Sequence, residues 1–366
     1  MKKFVSLLLA IAMVLCAVSF AAAEGTTYRV AMITDYGDIT DQSFNQTTYE
    51  ASKAFCEANG VDFTYFKPAG DSTAERVAMV DAAVDDGYNV IVMPGFAFGA
   101  TIAEVQDLYP EVKFIALDVS EGDLGGVALA SNVYCAVYQE ELAGYMAGYA
   151  AVKLGYTHLG FLGGMAVPAV IRYGYGFVQG ADAAAKETGA DVKIEYVYGN
   201  QFYGDADITA YMDTWYQTLG VQVVFACGGG IYSSAAEAAT KVEGAKVIGV
   251  DVDQAGLIDS TYGEGMTVTS AMKGLAATVN TLLTETLAGN FANYGGKVDT
   301  LGLVSGEDMS LNYVALPETT QWAETFTQED YAKMVAGMFD GSIVVSNATD
   351  VEPTVSIAVE YYGNIK

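Results

Sequence analysis

The sequence predicts an α/β protein of two doubly wound parallel-sheet lobes joined by a hinge, and three observations carry that prediction. Short apolar runs alternate with helical patterns, the alternation starts afresh after Ser131, and no low-complexity linker separates the two series. Continuous apolar strands between helices belong to a parallel sheet covered on both faces. A junction without a polar tether implies hinge strands.

Taken in order, the chain opens with Lys2 and Lys3, an apolar run from Phe4 to Phe20, and the small residues Ala21, Ala22 and Ala23. This reads as a signal peptide over residues 1–23, with the mature chain starting at Glu24. The run is shorter than the roughly 20 apolar residues of a membrane span, and no second such run follows. A lipid anchor at Cys16 is the disfavoured alternative, because Leu15 stands where a lipoprotein signal places a small residue. The predicted place is outside the cytoplasmic membrane, secreted or at its outer face.

The first lobe begins with a strand at Tyr28 to Thr34, a polar stretch, and a helix from Phe44 to Asn59. A strand at Phe63 to Phe66, a helix at Thr73 to Asp86 with Val77, Val80 and Val84 on one stripe, a strand at Asn89 to Met93, a helix at Ala100 to Tyr109 and a strand at Lys113 to Leu117 follow. The second series opens with a helix from Tyr138 to Lys153. It continues through strands at His158 to Gly163, Lys193 to Tyr198, Val221 to Ala226 and Lys246 to Val250, with helices between them. A last strand is expected at Thr354 to Tyr361.

Composition narrows the partners. The 366 residues carry a net charge of −28, which repels nucleic acid and anionic lipid. Hydrophobic content of 52% against 17% charged residues fits a substantial core. Cys56, Cys135 and Cys227 form no disulfide or metal pattern and read as three buried thiols. The single histidine, His158, begins an apolar strand and has no local metal partner, so its role is structural and neither metal nor cofactor is expected.

Ligands of parallel sheets bind beyond the carboxyl ends of the strands. The loop after the first strand, TDYGDITDQSFNQ, offers Asp41 or Ser43 as a helix cap. Phe44 and Asn45 there could stack on and hydrogen-bond a heterocycle, or Phe44 could belong to the core. FIALD ends in Asp118 and VIGVD in Asp251; a carboxylate at the end of a buried strand should face the cleft, where adjacent sugar hydroxyls can donate to it, unless it is a solvated loop or cap aspartate. FACGGG brings three glycines after a strand but lacks the phosphate-loop pattern. Tyr173 and Tyr175 read as half-buried amphipathic residues, and Arg172 as an inter-lobe contact.

TDYGDITDQSFNQ, VIVMPGFAFGATIAEV, YPEVKFIALD, EELAGYMAGYAA, LGFLGGMAVPAVIRYGYGFVQG, GGG and VIGVDVDQ, in this order, resemble the basic membrane protein family of solute-binding lipoproteins, the purine-nucleoside receptors of ABC importers. The resemblance implies the type I periplasmic-binding-protein fold with three hinge crossings. The lobes would be 24–131 plus 271–292 and 132–270 plus 293–366. It implies that Phe44 stacks on the base while Asn45 and an acidic residue of the TDYG turn, Asp35, bind its edge or the sugar. It further implies that Asp118 lies at the cleft, Phe202 or Tyr203 forms the opposite wall, Gly228 contributes backbone, and Asp251 and Lys273 hold the ribose. The implied partners are a purine nucleoside and ABC permease subunits, with the protein a monomer. Two alternatives stay open: a sugar or autoinducer receptor on the same fold, and a nucleoside-cleaving enzyme. Against the enzyme, no G-x-S-x-G elbow or zinc signature appears, and acid pairs carry no signal among 45 acidic residues.

Overall fold

The computed structural model of the chain describes residues 27–365; the expected signal peptide, Cys16 and Glu24 lie outside the described residues. The first lobe runs β1 (Arg29–Ile33), α1 (Phe44–Asn59), β2 (Asp62–Phe66), α2 (Thr73–Asp85), β3 (Val90–Pro94), α3 (Phe98–Val105), β4 (Lys113–Leu117) and β5 (Val133–Tyr138). The second runs α4 (Glu140–Lys153), β6 (His158–Gly163), α5 (Pro168–Thr188), β7 (Lys193–Tyr198), α6 (Ala206–Thr214), β8 (Val223–Cys227), α7 (Tyr232–Ala239), β9 (Lys246–Asp251), α8 (Ala255–Tyr262) and β10 (Thr267–Lys273). The chain then returns to the first lobe for α9 (Leu275–Leu287) and β11 (Lys297–Leu301). It ends in the second with β12 (Val314–Ala315), α10 (Gln328–Phe339) and β13 (Ala358–Asn364).

Both sheets share one winding. Five strands of the first stand in the order β2-β1-β3-β4-β5, and five of the second in the equivalent order β7-β6-β8-β9-β10. β11 extends the first sheet beside β5, while β12 and β13 extend the two edges of the second. Every pairing is parallel except β12 with β10. Strand order reverses between β1 and β3 and between β6 and β8, so each lobe has a crevice at the carboxyl ends of those strands. The central strands are apolar on both faces: β3, VIVMP, is buried throughout, as is β8, VVFAC. α9 returns to the first lobe because its stripe of Leu275, Val279, Leu282 and Leu283 packs with Val30, Met32, Val90 and Val92 of the first sheet.

The lobe boundaries differ from the sequence expectation. The second lobe expected from the sequence takes in residues 132–138, but β5 pairs with β4 in the first sheet, Phe114 opposite Val133. Likewise β10 stays in the second sheet through Lys273, and β11 belongs to the first sheet although it lies beyond residue 292. VYCAVY passes into α4 with a single residue between them, so no turn signal separates strand from helix. β11 is a half-exposed edge strand, KVDTL, without an apolar run.

Three segments cross between lobes, at Gln139, Gly274 and residues 302–313, and they are bonded into a hinge. Gln139 N–H donates to Leu301 O at 2.9 Å, Gly274 N–H to Tyr313 O at 2.7 Å, and Tyr313 N–H to Gly302 O at 2.8 Å. Just past the hinge, α4 and α5 meet backbone to backbone. A Cβ on Gly144 or Gly148 would lie 2.1 Å from a carbonyl oxygen of α5, that of Tyr173 or Phe177; one on Gly176 or Gly180 would strike the carbonyls of Glu141 or Tyr145. Only glycine permits that approach, and it fixes the start of α4 against the start of α5.

Candidate ligand-binding site

The two crevices face one another across a cavity of about 520 Å³. Asp35, Phe44, Asn45, Asp118, Phe202, Gly228, Asp251 and Lys273, all singled out from sequence, line it together.

On the first lobe, Asp41 accepts from the backbone N–H groups of Ser43, Asn45 and Gln46 at 2.9–3.0 Å and so caps α1; Ser43 does not. Burial raises the Asp41 pKa, and the amide donors pull it back. Asp41 also takes Asn45 Nδ2 at 3.2 Å, while Asn45 Oδ1 is buried without a partner among the described residues. Asp35 is held by the N–H groups of Tyr36 and Gly37 at 2.6 and 2.7 Å. Its pKa is raised by burial, against those two bonds. Phe44 packs at the edge of the core and also lines the cavity.

Asp118, directly after β4, and Asp251, the last residue of β9, are in left-handed backbone, φ 61° and 66°. The other two non-glycine residues with positive φ among the described residues, Gln42 and Asn200, stand in loops that border the cleft. Such conformations cost on the order of 1 kcal/mol each and gather where side chains must be aimed; aspartate and asparagine tolerate them best.

Lys273 ends β10 and reaches Asp118 Oδ2 at 2.7 Å and Glu140 Oε1 at 3.1 Å. The rings of Phe44, Tyr138 and Tyr173 surround its ammonium at 5.1, 5.2 and 5.5 Å. Burial alone would lower the Lys273 pKa, but Asp118, Glu140 and Asp251 overcome it, and the amine stays charged. Asp118 moves the opposite way to an ordinary salt-bridged acid. Burial, with Glu140 and Asp251 nearby, pushes it up to about 6 against the pull of Lys273 alone. Glu140 has two cations, Lys273 and Arg172, the latter donating from Nε at 2.6 Å; they outweigh burial and lower its pKa.

On the second lobe both Phe202 and Tyr203 line the cavity, Tyr203 being 60% exposed. A Cβ on Gly228 would lie 2.8 Å from the Phe202 ring, and one on Gly164 2.3 Å, so these glycines seat the ring. Bonds cross the cleft between the lobes. Ser43 Oγ donates to Asp251 Oδ2 at 2.5 Å, Gln254 Nε2 to Gln42 O at 3.1 Å, and Tyr36 OH to Met165 Sδ at 3.0 Å. The Asp251 pKa is raised by burial and held down by Lys273 and Ser43.

Sequence reasoning missed Tyr36, which faces Phe202 at 6.4 Å and 30°, and the pair Glu140–Arg172. Tyr173 is corrected: it is 2% exposed and lines the cavity, whereas Tyr175 packs beside Tyr196. Two adjacent acids, Glu140 and Glu141, opening an otherwise apolar helix were the readable signal for the hinge cluster. His158 lies at the opposite end of β6 from the cavity and bonds Glu195 at 2.9 Å. Cys56, Cys135 and Cys227 are free and buried.

Two lobes of this winding, crossed three times and closed on a cavity, have the type I periplasmic-binding-protein architecture. The chain belongs to the family of PnrA-like ABC transporter substrate-binding proteins, whose profile matches residues 28–314. It is 27% identical over 337 residues to the "ABC transporter nucleoside-binding protein BmpA" of Lactococcus lactis subsp. cremoris, covering 87% of this chain and 89% of that protein. Basic membrane protein B of Borreliella burgdorferi is 27% identical over 284 residues, 76% of this chain and 79% of that one. A solved ABC-transporter solute-binding protein from Aeropyrum pernix K1 superposes with a TM-score of 0.67 at 22% identity, covering 87% of both chains. Among the described residues no helix is long and apolar enough to cross a membrane.

Proposed function

We propose that this protein binds a neutral purine nucleoside between its lobes, outside the cytoplasmic membrane, and presents it unchanged, as a monomer, to the permease subunits of an ABC importer. One observation carries the ligand class: the same cavity has aromatic walls, Phe44 on one lobe and Phe202 on the other, and buried polar atoms without protein partners, Asn45 Oδ1 and Asp118 Oδ1. A flat heterocycle suits the walls, and a polyhydroxy group suits the carboxylates of Asp118 and Asp251. Asp35 and Asn45 would read the base edge, with Lys273 holding the acids in place. Among the described residues six aspartates and only two cations, Arg172 and Lys273, line the cavity, which favours an uncharged ligand over a nucleotide. The nucleoside-binding relative supports the same reading. Mass spectrometry of small molecules released on denaturing the purified protein, followed by calorimetry with adenosine, guanosine, inosine, their bases and simple sugars, tests it. Binding of sugars with no response to any nucleoside would overturn the ligand, and release of free base from a nucleoside would overturn the receptor role.

A further inference from the structure

Tyr173 has no task in the binding scheme above. It lies in the first turns of α5, with its ring edge-on to Phe225 at 5.9 Å and beside Lys273 Nζ at 5.5 Å. Tyr173 lines the cavity, and its hydroxyl is buried and bonds no protein atom among the described residues. The helix cannot shift to find it a partner, because the Tyr173 carbonyl is already pressed against Gly144. A buried hydroxyl without a partner is costly, and phenylalanine would fill the ring space without that cost. Burial, with Asp251, Glu140 and Asp118 nearby, raises its pKa well above the ordinary value, so it remains a neutral phenol able to donate.

The nearby carboxylates are partly engaged: Asp251 Oδ2 takes Ser43, Asp118 Oδ2 takes Lys273, and Glu140 Oε2 takes Arg172. Asp118 Oδ1 is buried and unpartnered like the phenol. This end of the cavity therefore presents an unused donor and an unused acceptor. A hydroxyl satisfies both kinds of group, whereas a hydrogen or methyl satisfies neither and a phosphate oxygen cannot donate to a carboxylate. We infer that the Tyr173 hydroxyl is a specificity-determining hydrogen-bond donor to a ligand hydroxyl at the carboxylate end of the cavity. This deepens the nucleoside reading and rests on it.

The test is a cycle between Tyr173→Phe and single-hydroxyl deletions of the ligand. Calorimetry compares adenosine with its 2′-, 3′- and 5′-deoxy analogues, and ribose, glucose and galactose with theirs, on wild type and variant. The expected result is an about tenfold loss for the parent ligand in Y173F and no loss for the one deoxy analogue that lacks the partner hydroxyl. The melting temperature of the ligand-free variant is expected to hold or rise. Equal losses for parent and every deoxy analogue together with a lower melting temperature would mean a structural role and overturn the inference, as would unchanged affinities throughout. If wild type binds sugars alone, the nucleoside reading falls, and the same cycle on the sugar and its deoxy forms still decides Tyr173. Binding of neither class overturns both.

Discussion

Asp251 carries two loads that substitution can separate. Its Oδ2 accepts from Ser43 across the cleft at 2.5 Å, so Asp251→Ala removes a lobe-to-lobe bond as well as any bond to the ligand's sugar. Ser43→Ala removes the first and spares the second. A hydrogen bond to a charged group is worth about 1.5–3 kcal/mol. Since each 1.4 kcal/mol is about tenfold, S43A should weaken nucleoside and free base alike, by about 10- to 100-fold. D251A should match S43A on the free base and fall a further 10- to 100-fold on the nucleoside. Calorimetry on both variants with adenosine and adenine reads all four values. Equal effects of D251A on nucleoside and base would refute the sugar contact, and an S43A protein with wild-type affinities would refute the latch.

Lys273→Met strips the buried ammonium from Asp118 and Glu140 and should destabilise the protein by about 3–5 kcal/mol in urea unfolding; a loss below 1 kcal/mol would mean the cluster stays hydrated. Glu141 is 3% exposed with Oε2 unpartnered, and burial pushes its pKa up from 4.5 to about 7. The folded state then keeps a proton that the unfolded state has released, so this cost is absent below about pH 4.5, grows as pH rises, and is complete above about pH 7. Relative to Glu141→Gln, wild type should lose about 3 kcal/mol more stability between pH 4.5 and 7.5 in urea titrations; parallel curves would contradict it. A 5′-phosphate added to the bound nucleoside should cost at least about a hundredfold in affinity, because the aspartate-rich cavity offers it no free cation; nucleotide binding as tight as nucleoside binding would reverse the charge argument.

Much of the architecture was legible because buried parallel strands leave unbroken apolar runs. The aspartates after FIALD and VIGVD stood out for the same reason, a charge placed where a core strand stops. What was not legible depended on contacts between distant segments. Phe202 and Tyr203 are neighbours of similar shape, and the close approach of Gly164 and Gly228 to the Phe202 ring comes from two other loops. Tyr173 falls on the buried stripe of an ordinary amphipathic helix, and only its place at the cavity and its unpartnered hydroxyl separate it from a core tyrosine. β5 escaped because a strand and a helix joined by one residue leave no break in hydrophobicity, and β11 because an edge strand need not be apolar.

The glycine seam between α4 and α5 decides how this molecule can move. Sliding one helix past another needs side chains that trade rotamers at the contact, and here carbonyl meets Cα with none between. Shear is therefore closed to this pair, and the second lobe swings with α4 and α5 as one piece. Opening of the cleft falls to the torsions at Gln139, at Gly274 and along residues 302–313. Lys273 adjoins Gly274 in the chain, so its backbone is among the parts of the site that a rotation there would displace least.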